Sequence, residues 1–171
     1  MAIRNYLIEG VSGSGKTSVA EALERRGYHV VHGDRVLAYR GDPRTGEPVE
    51  LPPDAALEWR QGHHIWNVGK VRAIVADKSR METFFCGGSR NWGDFIDLFD
   101  KVFVLDVDRE TLNQRLLNRP EDEFGGKPDE RAFVLRLHAS EEDIPRQGIR
   151  IDATGPIEHV VDAILSAAAR A

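Results

Sequence analysis

Residues 10–17 read Gly-Val-Ser-Gly-Ser-Gly-Lys-Thr and match the pattern G-x-x-x-x-G-K-[ST] at every fixed position. Glycines in this pattern let backbone N–H groups turn inward around a polyphosphate, because no side chain blocks the approach. The lysine can then reach the β and γ phosphates, and the threonine hydroxyl can bind Mg²⁺. The stretch predicts a phosphate-binding loop with the cofactor-binding residues Gly10, Ser12, Gly13, Ser14, Gly15, Lys16, Thr17 and Ser18.

The residues on both sides of this loop fit a strand followed by a helix. An apolar run around Leu7 precedes the loop, and apolar residues at helical spacing follow it from Lys16 to about Arg26. A glycine-rich turn that binds nothing is the alternative. The flanking strand and helix favour phosphate binding, because the motif acts in that context.

Composition limits the class of protein. A chain of 171 residues with 41% hydrophobic content predicts one domain, residues 1–171, with a real core. The formal charge of −5 argues against nonspecific nucleic-acid binding. The single cysteine, Cys86, excludes an internal disulfide. With neither a secretion signal nor a long apolar stretch, we expect a cytoplasmic protein with no membrane partner. No pattern indicates an oligomeric state.

A second strand is predicted at 28–31, and it would deliver Asp34 to the carboxyl edge of the sheet, where α/β proteins bind ligands. A carboxylate there can hold Mg²⁺ through water, or accept the proton of a hydroxyl that receives a phosphoryl group. Asp34 is therefore a candidate catalytic, substrate-binding and metal residue. Alternatively, its side chain caps the following helix.

Two segments follow before the next strand. Residues 41–53 hold four prolines and two glycines, which predicts an irregular surface excursion. Apolar spacing from 54 to 78 then predicts one helix or two, carrying Arg60 as a candidate ligand for an anionic substrate. Trp59 and Trp66 would share a face of this helix, either as packing residues or as a wall of an acceptor pocket.

The same helix would carry His63 and His64. Neighbouring side chains on a helix point about 100° apart, so these two histidines form a poor metal pair. The remaining histidines are isolated in the sequence, and surface or packing roles are expected for them.

A third strand at 83–86 ends in Gly87 and Gly88, which would bring bare backbone to the ligand edge. Arg90 follows and could bind an anionic group through two hydrogen bonds, or it could lie exposed on a turn. Cys86 is expected to be a small core residue, because no neighbour in the sequence would activate its thiol.

The strand at 101–105 ends at Asp106, which imitates the magnesium carboxylate of P-loop proteins and competes with Asp34 for that role. Asp108 fits a helix cap equally well. In the helix at 111–119, Arg115 and Arg119 are four residues apart and share a face.

A polar, glycine-hinged segment at about 120–130 follows the two arginines and predicts a short lid. The arginines could neutralise a transferring phosphoryl group when this lid closes, or they could form a solvated face. A helix near 130–142, a strand at 149–151 and a helix at about 156–169 complete the chain. The alternation of strands and helices predicts an α/β fold, with a parallel sheet covered on both faces.

With these elements in order, the chain resembles the adenylate-kinase-like group of P-loop small-molecule kinases, which includes nucleotide, shikimate and gluconate kinases. The resemblance implies a three-layer P-loop NTPase fold with a five-stranded parallel sheet in the order 2-3-1-4-5. It also implies ATP as donor, Mg²⁺ as cofactor and a lid before the next helix. The preference for adenine over guanine comes from this resemblance alone.

The resemblance also implies residue roles. Lys16 and Thr17 match the loop lysine and the Mg²⁺ hydroxyl of the group, and Arg115 and Arg119 match its two arginines, one at adenine and one at the phosphates. Asp34 is similar to the shikimate-kinase aspartate. The third strand ends without the acid that nucleotide kinases carry there, which favours shikimate-type acceptors.

Together these observations predict an ATP-dependent phosphotransferase that acts on a small, anionic acceptor. The acceptor could be a shikimate-like hydroxy acid, a sugar acid, a nucleoside or a nucleotide. The predicted catalytic residues are Lys16, Asp34, Arg115 and Arg119, and the predicted substrate residues are Asp34, Arg60, Gly87, Gly88 and Arg90. A nucleoside monophosphate kinase, a nucleotide-dependent switch and a binding module without turnover remain alternatives.

Overall fold

The computed structural model describes residues 2–171, in which strands and helices alternate as the sequence predicts. The strands are β1 (Arg4–Glu9), β2 (His29–His32), β3 (Ala38–Arg40), β4 (His64–Trp66), β5 (Glu82–Cys86), β6 (Lys101–Asp106) and β7 (Ile149–Asp152). The helices are α1 (Lys16–Arg25), α2 (Gly33–Val36), α3 (Leu57–Gly62), α4 (Val68–Ala76), α5 (Arg109–Leu117), α6 (Pro128–Ser140) and α7 (Ile157–Ala169). Two short 3₁₀ turns, Trp92–Asp94 and Ile96–Leu98, lie between β5 and β6.

Five strands form one parallel sheet with the order β2-β5-β1-β6-β7. The written order differs from the expected 2-3-1-4-5, because two strands that were not predicted, β3 and β4, interrupt the numbering. When only the five strands of this sheet are numbered along the chain, their spatial order is 2-3-1-4-5. The predicted fold class, a parallel sheet with helices on both faces, is confirmed.

Neighbouring residues in the central strands show why both faces must be covered. Phe84 and Phe85 point to opposite faces of β5, yet both are fully buried. Leu7 and Ile8 repeat this arrangement in β1. Such continuous apolar strands are stable only between two helical layers, because either face alone would expose large apolar area to water.

The helix predicted across residues 54–78 is wrong at its centre, where His64–Trp66 forms strand β4. This strand pairs antiparallel with β3, so that Tyr39 lies opposite Ile65. Trp66 is buried and stacks on Phe95, with ring centroids 5.5 Å apart. Pairing and burial of these residues outweigh the helical spacing, which α3 and α4 follow on either side.

Consequently Trp59 and Trp66 do not share a helix face. Trp59 lies in α3 and stacks on His63 at a centroid distance of 3.9 Å. Trp66 packs in the core instead.

Residues 41–53 contain no helix or strand, as predicted, and an isolated bridge joins Gly41 to Pro48. The predicted lid lies between α5 and α6, and α6 begins at Pro128, slightly earlier than expected. Within residues 2–171, no helix is long and apolar enough to cross a membrane.

Candidate active site

A cavity of about 780 Å³ opens at the carboxyl ends of the sheet strands. This volume lies within the range of small-molecule sites. Its walls include every residue predicted for cofactor, substrate or catalysis except Gly87, namely Gly10, Ser12, Gly13, Ser14, Gly15, Lys16, Thr17, Ser18, Asp34, Arg60, Gly88, Arg90, Arg115 and Arg119. Gly87 lines a small neighbouring pocket together with Lys16 and Asp34.

The loop between β1 and α1 forms the floor of the cavity. Gly13 has a φ of +86°, and a Cβ there would lie 2.8 Å from Leu112 of α5. A larger residue would therefore be strained and would also clash with the neighbouring helix. The hydroxyl of Ser14 is buried and has no hydrogen-bond partner among the described residues. The loop thus contains glycines in conformations and spaces that a side chain would not fit, as a phosphate cradle requires.

Lys16 is half-buried at the start of α1. Its ammonium donates hydrogen bonds to the backbone carbonyls of Gly10 and Val11, the latter at 3.0 Å. Burial lowers the pKa of Lys16, while the carboxyl groups of Glu9, Asp34 and Asp143 oppose that shift. The carboxyl groups of these three residues therefore act on the same cation.

Asp34 lies in α2 and has one occupied and one free carboxyl oxygen. His64 Nε2 donates to its Oδ1 at 3.0 Å, and Trp66 Nε1 donates to the same oxygen at 3.3 Å. Burial raises the pKa of Asp34, but these hydrogen bonds and the charges of His64 and Lys16 outweigh it, so the net shift is downward. Oδ2 of this carboxylate accepts no hydrogen bond from the described residues.

The alternative of Asp34 as a helix cap does not match the structure. The residue before α2 is His32, and no side chain caps that helix. Asp34 instead faces the cavity, which agrees with its predicted position.

His64 is a site residue that sequence reasoning missed. The apolar spacing predicts a helix that carries it beside His63, whereas β4 brings it into the cavity wall and against Asp34. No local pattern could have revealed this, since the two residues are 30 positions apart in the sequence.

Arg115 lies in α5, whereas Arg119 follows the end of that helix at Leu117, two residues earlier than the predicted end, and both side chains contact the phosphate loop. Arg115 donates to the carbonyls of Ser14 at 3.2 Å and Ala153 at 2.7 Å. Arg115 therefore links the loop to the turn after β7.

Arg119 Nη1 donates to Ser12 Oγ at 3.1 Å and to the carbonyl of Phe124 at 2.6 Å. This arginine ties the lid segment to the phosphate loop. The alternative of a solvated arginine face therefore does not apply to either side chain.

Glu9 is the second missed residue. It ends β1, is only 1% exposed and lines the cavity. A Cβ on Gly88 would lie 3.0 Å from its Oε2, so the glycine provides the space for this carboxyl group. Burial raises the pKa of Glu9 to about 8, although Lys16 and Arg90 lower it. The sequence does not indicate a role for this acid, because it directly follows an apolar run and reads as the end of a strand.

Asp143 is the third missed residue. It follows α6, is 6% exposed and lines the cavity. Gln61 Nε2 donates to its Oδ2 at 3.3 Å, while its Oδ1 is buried and has no partner in the described chain. Burial raises the pKa of Asp143, and Arg90 and Lys16 oppose that shift. Arg90 also donates from Nη2 to the backbone carbonyl of Asp143.

Two other predicted acids lie elsewhere. Asp106 is exposed at the end of β6, pairs in register with Asp152 and is absent from the cavity lining. Asp108 caps α5 by accepting from Thr111 N at 2.7 Å. Of the two metal candidates, Asp34 and Asp106, Asp34 alone contributes to the described lining. Burial also raises the pKa of Cys86, which leaves its thiol unreactive.

The cavity has the features that magnesium and a nucleoside triphosphate require. Thr17 is exposed in the lining, so its hydroxyl is available, and Asp34 has a free carboxyl oxygen. The described residues contain no cluster of three or more His, Cys, Asp or Glu that could hold a metal. The two groups present, the Thr17 hydroxyl and the Asp34 carboxylate, fit Mg²⁺, which is usually bound by one or two protein groups together with phosphates and water.

The fold is that of the P-loop small-molecule kinases of the adenylate-kinase-like group, and the resemblance seen in the sequence is confirmed. A family model described as AAA domain matches residues 7–136, and the chain belongs to that family. A search of curated proteins finds no match.

Several solved structures share the fold. A gluconokinase from Sinorhizobium meliloti is 21% identical with a TM-score of 0.57, covering 95% of this chain and 90% of that chain. A shikimate kinase from Bacteroides thetaiotaomicron is 15% identical with a TM-score of 0.59, covering 98% and 99%. A deoxyadenosine kinase from M. mycoides, with bound dATP, is 14% identical with a TM-score of 0.53, covering 97% and 100%.

Proposed function

We propose that this protein is an ATP-dependent phosphotransferase that moves the γ-phosphoryl group of ATP to a hydroxyl or phosphate on a small molecule. One observation carries the proposal. A phosphate loop with its lysine, a carboxylate with a free oxygen and two arginines beside a lid all face one cavity. Phosphoryl transfer depends on positioning and charge stabilisation, and these groups supply both.

On the donor side, the loop amides and Lys16 would hold the phosphates. Lys16 now donates to the carbonyls of its own loop, and a triphosphate oxygen offers its ammonium a charged acceptor instead. Thr17 would hold Mg²⁺ directly and Asp34 would hold it through a bound water, and the ion would neutralise charge on the β and γ phosphates when bound.

On the acceptor side, Asp34 would orient the attacking hydroxyl through its Oδ2. His64 and Trp66 fix the other oxygen and so set the direction of the carboxylate. Because the pKa of Asp34 is lowered, its carboxylate is a weak base that orients the hydroxyl before transfer begins. Asp34 can then take the proton of the acceptor hydroxyl as the hydroxyl oxygen bonds to phosphorus and its proton becomes more acidic.

Arg115 and Arg119 would stabilise the charge of the transferring group. Both already contact the phosphate loop, and Arg119 also holds the lid carbonyl of Phe124. Closure of the lid would exclude water, which strengthens each charge interaction and prevents hydrolysis of ATP.

The acceptor is proposed to be a small, anionic molecule, with a shikimate-like hydroxy acid or a sugar acid as the leading types. Arg60 is exposed on the cavity wall and Arg90 lies deeper in it, so both could contact an acidic group. The same proposal includes a single domain over residues 1–171 that works in the cytoplasm, where ATP is available.

The direct test is a screen of ATP consumption against hydroxy acids, sugar acids, nucleosides and nucleotides. At least one acceptor should raise consumption well above background, and Lys16→Ala should reduce that rate by about 100-fold or more, because a main charge on the phosphates is lost. Lys70→Ala, at an exposed position of α4, serves as the control.

The outcomes separate the alternatives. Slow hydrolysis that no acceptor accelerates would indicate a switch or a binding module, and the kinase proposal would be wrong. Activity confined to nucleoside monophosphates would identify a nucleotide kinase.

A further inference from the structure

Asn91 is a buried polar residue that the proposed phosphoryl transfer does not use. It lies in the turn after β5 and is 5% exposed. Its side-chain Oδ1 accepts a hydrogen bond from Trp66 N at 3.0 Å, and its Nδ2 donates to the Trp66 carbonyl at 2.9 Å. One side-chain amide thus satisfies both backbone polar groups of a residue in β4, as a neighbouring strand would.

These two hydrogen bonds complete the pairing of β4. One edge of this strand pairs with β3, and the sheet that they form has only these two strands among the described residues. The other edge bonds to residues 90 and 91, where Arg90 N also donates to the His64 carbonyl at 2.9 Å. Without such partners, buried N–H and C=O groups would carry a free-energy cost. The Asn91 side chain therefore fixes where β4 lies.

The strand β4 carries the two donors that hold Asp34. His64 and Trp66 are two residues apart, so their side chains point to the same face of the strand. His64 Nε2 donates to Asp34 Oδ1 at 3.0 Å, and Trp66 Nε1 donates to the same oxygen at 3.3 Å. The direction of the carboxylate consequently depends on the position of this short strand.

The indole ring of Trp66 has little room to adjust if β4 moves. A Cβ on Gly33 would overlap the ring, and a Cβ on Gly87 would lie 2.8 Å from it. Phe95 stacks on the ring with centroids 5.5 Å apart. Because the surroundings are close-packed, a shift of the Trp66 backbone would displace the indole N–H from Asp34.

We propose that Asn91 is a positioning residue for phosphoryl transfer: its side-chain amide holds β4, so that two donors on this strand bind one oxygen of Asp34 and leave the other for the acceptor. This inference rests on the proposed function and adds a residue outside the cavity lining, which acts through β4. Loss of the amide should disturb Asp34 and leave the phosphate loop unchanged.

The indole N–H signal of Trp66 in a nitrogen–proton NMR spectrum tests this role without turnover. The chain has three tryptophans, so Trp66→Phe identifies the signal. Asn91→Ala should move it toward its position in Asp34→Asn. The indole proton should also exchange with solvent about tenfold faster or more, because its hydrogen bond to the carboxylate is weakened.

Thr83→Ala is the matched control. Thr83 lies at the opposite end of β5, is 4% exposed and hydrogen-bonds through Oγ1 to His29 Nδ1 at 2.9 Å. Its replacement therefore also removes a buried side-chain hydrogen bond, but it should leave the Trp66 signal and its exchange unchanged. The inference is wrong if Asn91→Ala leaves the signal in place, or if Thr83→Ala moves it equally.

Kinetics with an acceptor from the screen separate positioning from a merely structural role. Asn91→Ala should lower kcat by about tenfold or more and change the KM for ATP by less than about twofold, because the carboxylate is misdirected while the phosphate loop is intact. Thr83→Ala should change neither constant. An unchanged kcat would overturn the inference even if the Trp66 signal moves.

A measurement on the wild type remains if Asn91→Ala fails to fold. The Nδ2 proton of Asn91 that binds the Trp66 carbonyl should exchange on the order of 100-fold more slowly than the side-chain amide of Asn118, which is exposed. Equal rates would show that Asn91 does not hold β4. If no acceptor is phosphorylated, the kinase proposal fails, whereas the NMR measurements still decide whether Asn91 orders Asp34.

Discussion

Glu9→Gln should make the protein more stable at pH 8 than the wild type, with little effect at pH 5. Burial raises the pKa of Glu9 to about 8, whereas a glutamate in an unfolded chain has a pKa of about 4.3. The folded protein therefore holds this proton up to about pH 8, while the unfolded chain loses it near pH 4. Stability falls as the pH rises between these values, because only unfolding releases the proton.

The magnitude follows from the two pKa values. Each pH unit between them costs the folded state about 1.4 kcal/mol, so Glu9 lowers the free energy of unfolding by about 3 to 4 kcal/mol between pH 5 and pH 8. Glutamine has nearly the same shape and cannot ionise, so the variant escapes this loss. Its carbonyl oxygen can still accept from Gly10 N, which lies 3.3 Å from Oε2 in the wild type.

Urea unfolding at both pH values measures the effect. The difference in midpoint between variant and wild type should be about 1 to 2 M larger at pH 8 than at pH 5. Glu21→Gln, at an exposed position of α1, is the matched control and should show no such change. If the wild type and Glu9→Gln lose stability in parallel from pH 5 to pH 8, Glu9 is already ionised in the folded protein and the reasoning is refuted.

Three further predictions concern the loop, the lid and the catalytic carboxylate. Gly13→Ala should lower the free energy of unfolding by about 1 to 3 kcal/mol, because residue 13 has a φ of +86° and a Cβ there clashes with α5. Urea unfolding measures the effect, with Gly93→Ala as the control, since a Cβ at residue 93 meets nothing within 4 Å. Arg119→Gln should speed hydrogen exchange and proteolysis in the lid, since it removes the hydrogen bond to a lid carbonyl; unchanged protection would contradict this role. His64→Ala should raise the pKa of Asp34 by removing a hydrogen bond, so the acidic limb of the kcat/KM profile should move to higher pH; an unmoved limb would show that His64 does not act on the carboxylate.

The parts of the structure that depend on local sequence were predictable. The phosphate loop needs particular residues at fixed spacing, and the apolar strands around Leu7 and Phe103 need continuous burial, so both leave a clear local pattern. The alternation of these elements then restricts the topology to a parallel sheet covered on both faces. The arginines at 115 and 119 were also visible from their spacing of four residues, although α5 ends at Leu117, before Arg119.

The parts that depend on distant contacts were not predictable. His64–Trp66 has helical neighbours on both sides, and only its pairing with β3 makes it a strand. In the sequence, Glu9 is only the last residue of an apolar strand. Its place in the site depends on the charges of Lys16 and Arg90, which act on it in the folded chain. Asp143 lies 53 positions from Arg90 in the sequence, so their contact exists only in the folded chain.

The central claim is that residues 10–17 bind the phosphates of a nucleoside triphosphate. Calorimetric titration with Mg·ATP tests it most directly, using the wild type, Lys16→Ala and the control Lys70→Ala. We predict saturable binding by the wild type and the control, and binding weaker by at least about tenfold in Lys16→Ala, because a charge-assisted contact with phosphate is lost. No measurable heat at millimolar Mg·ATP, or equal affinity in all three proteins, would contradict the account.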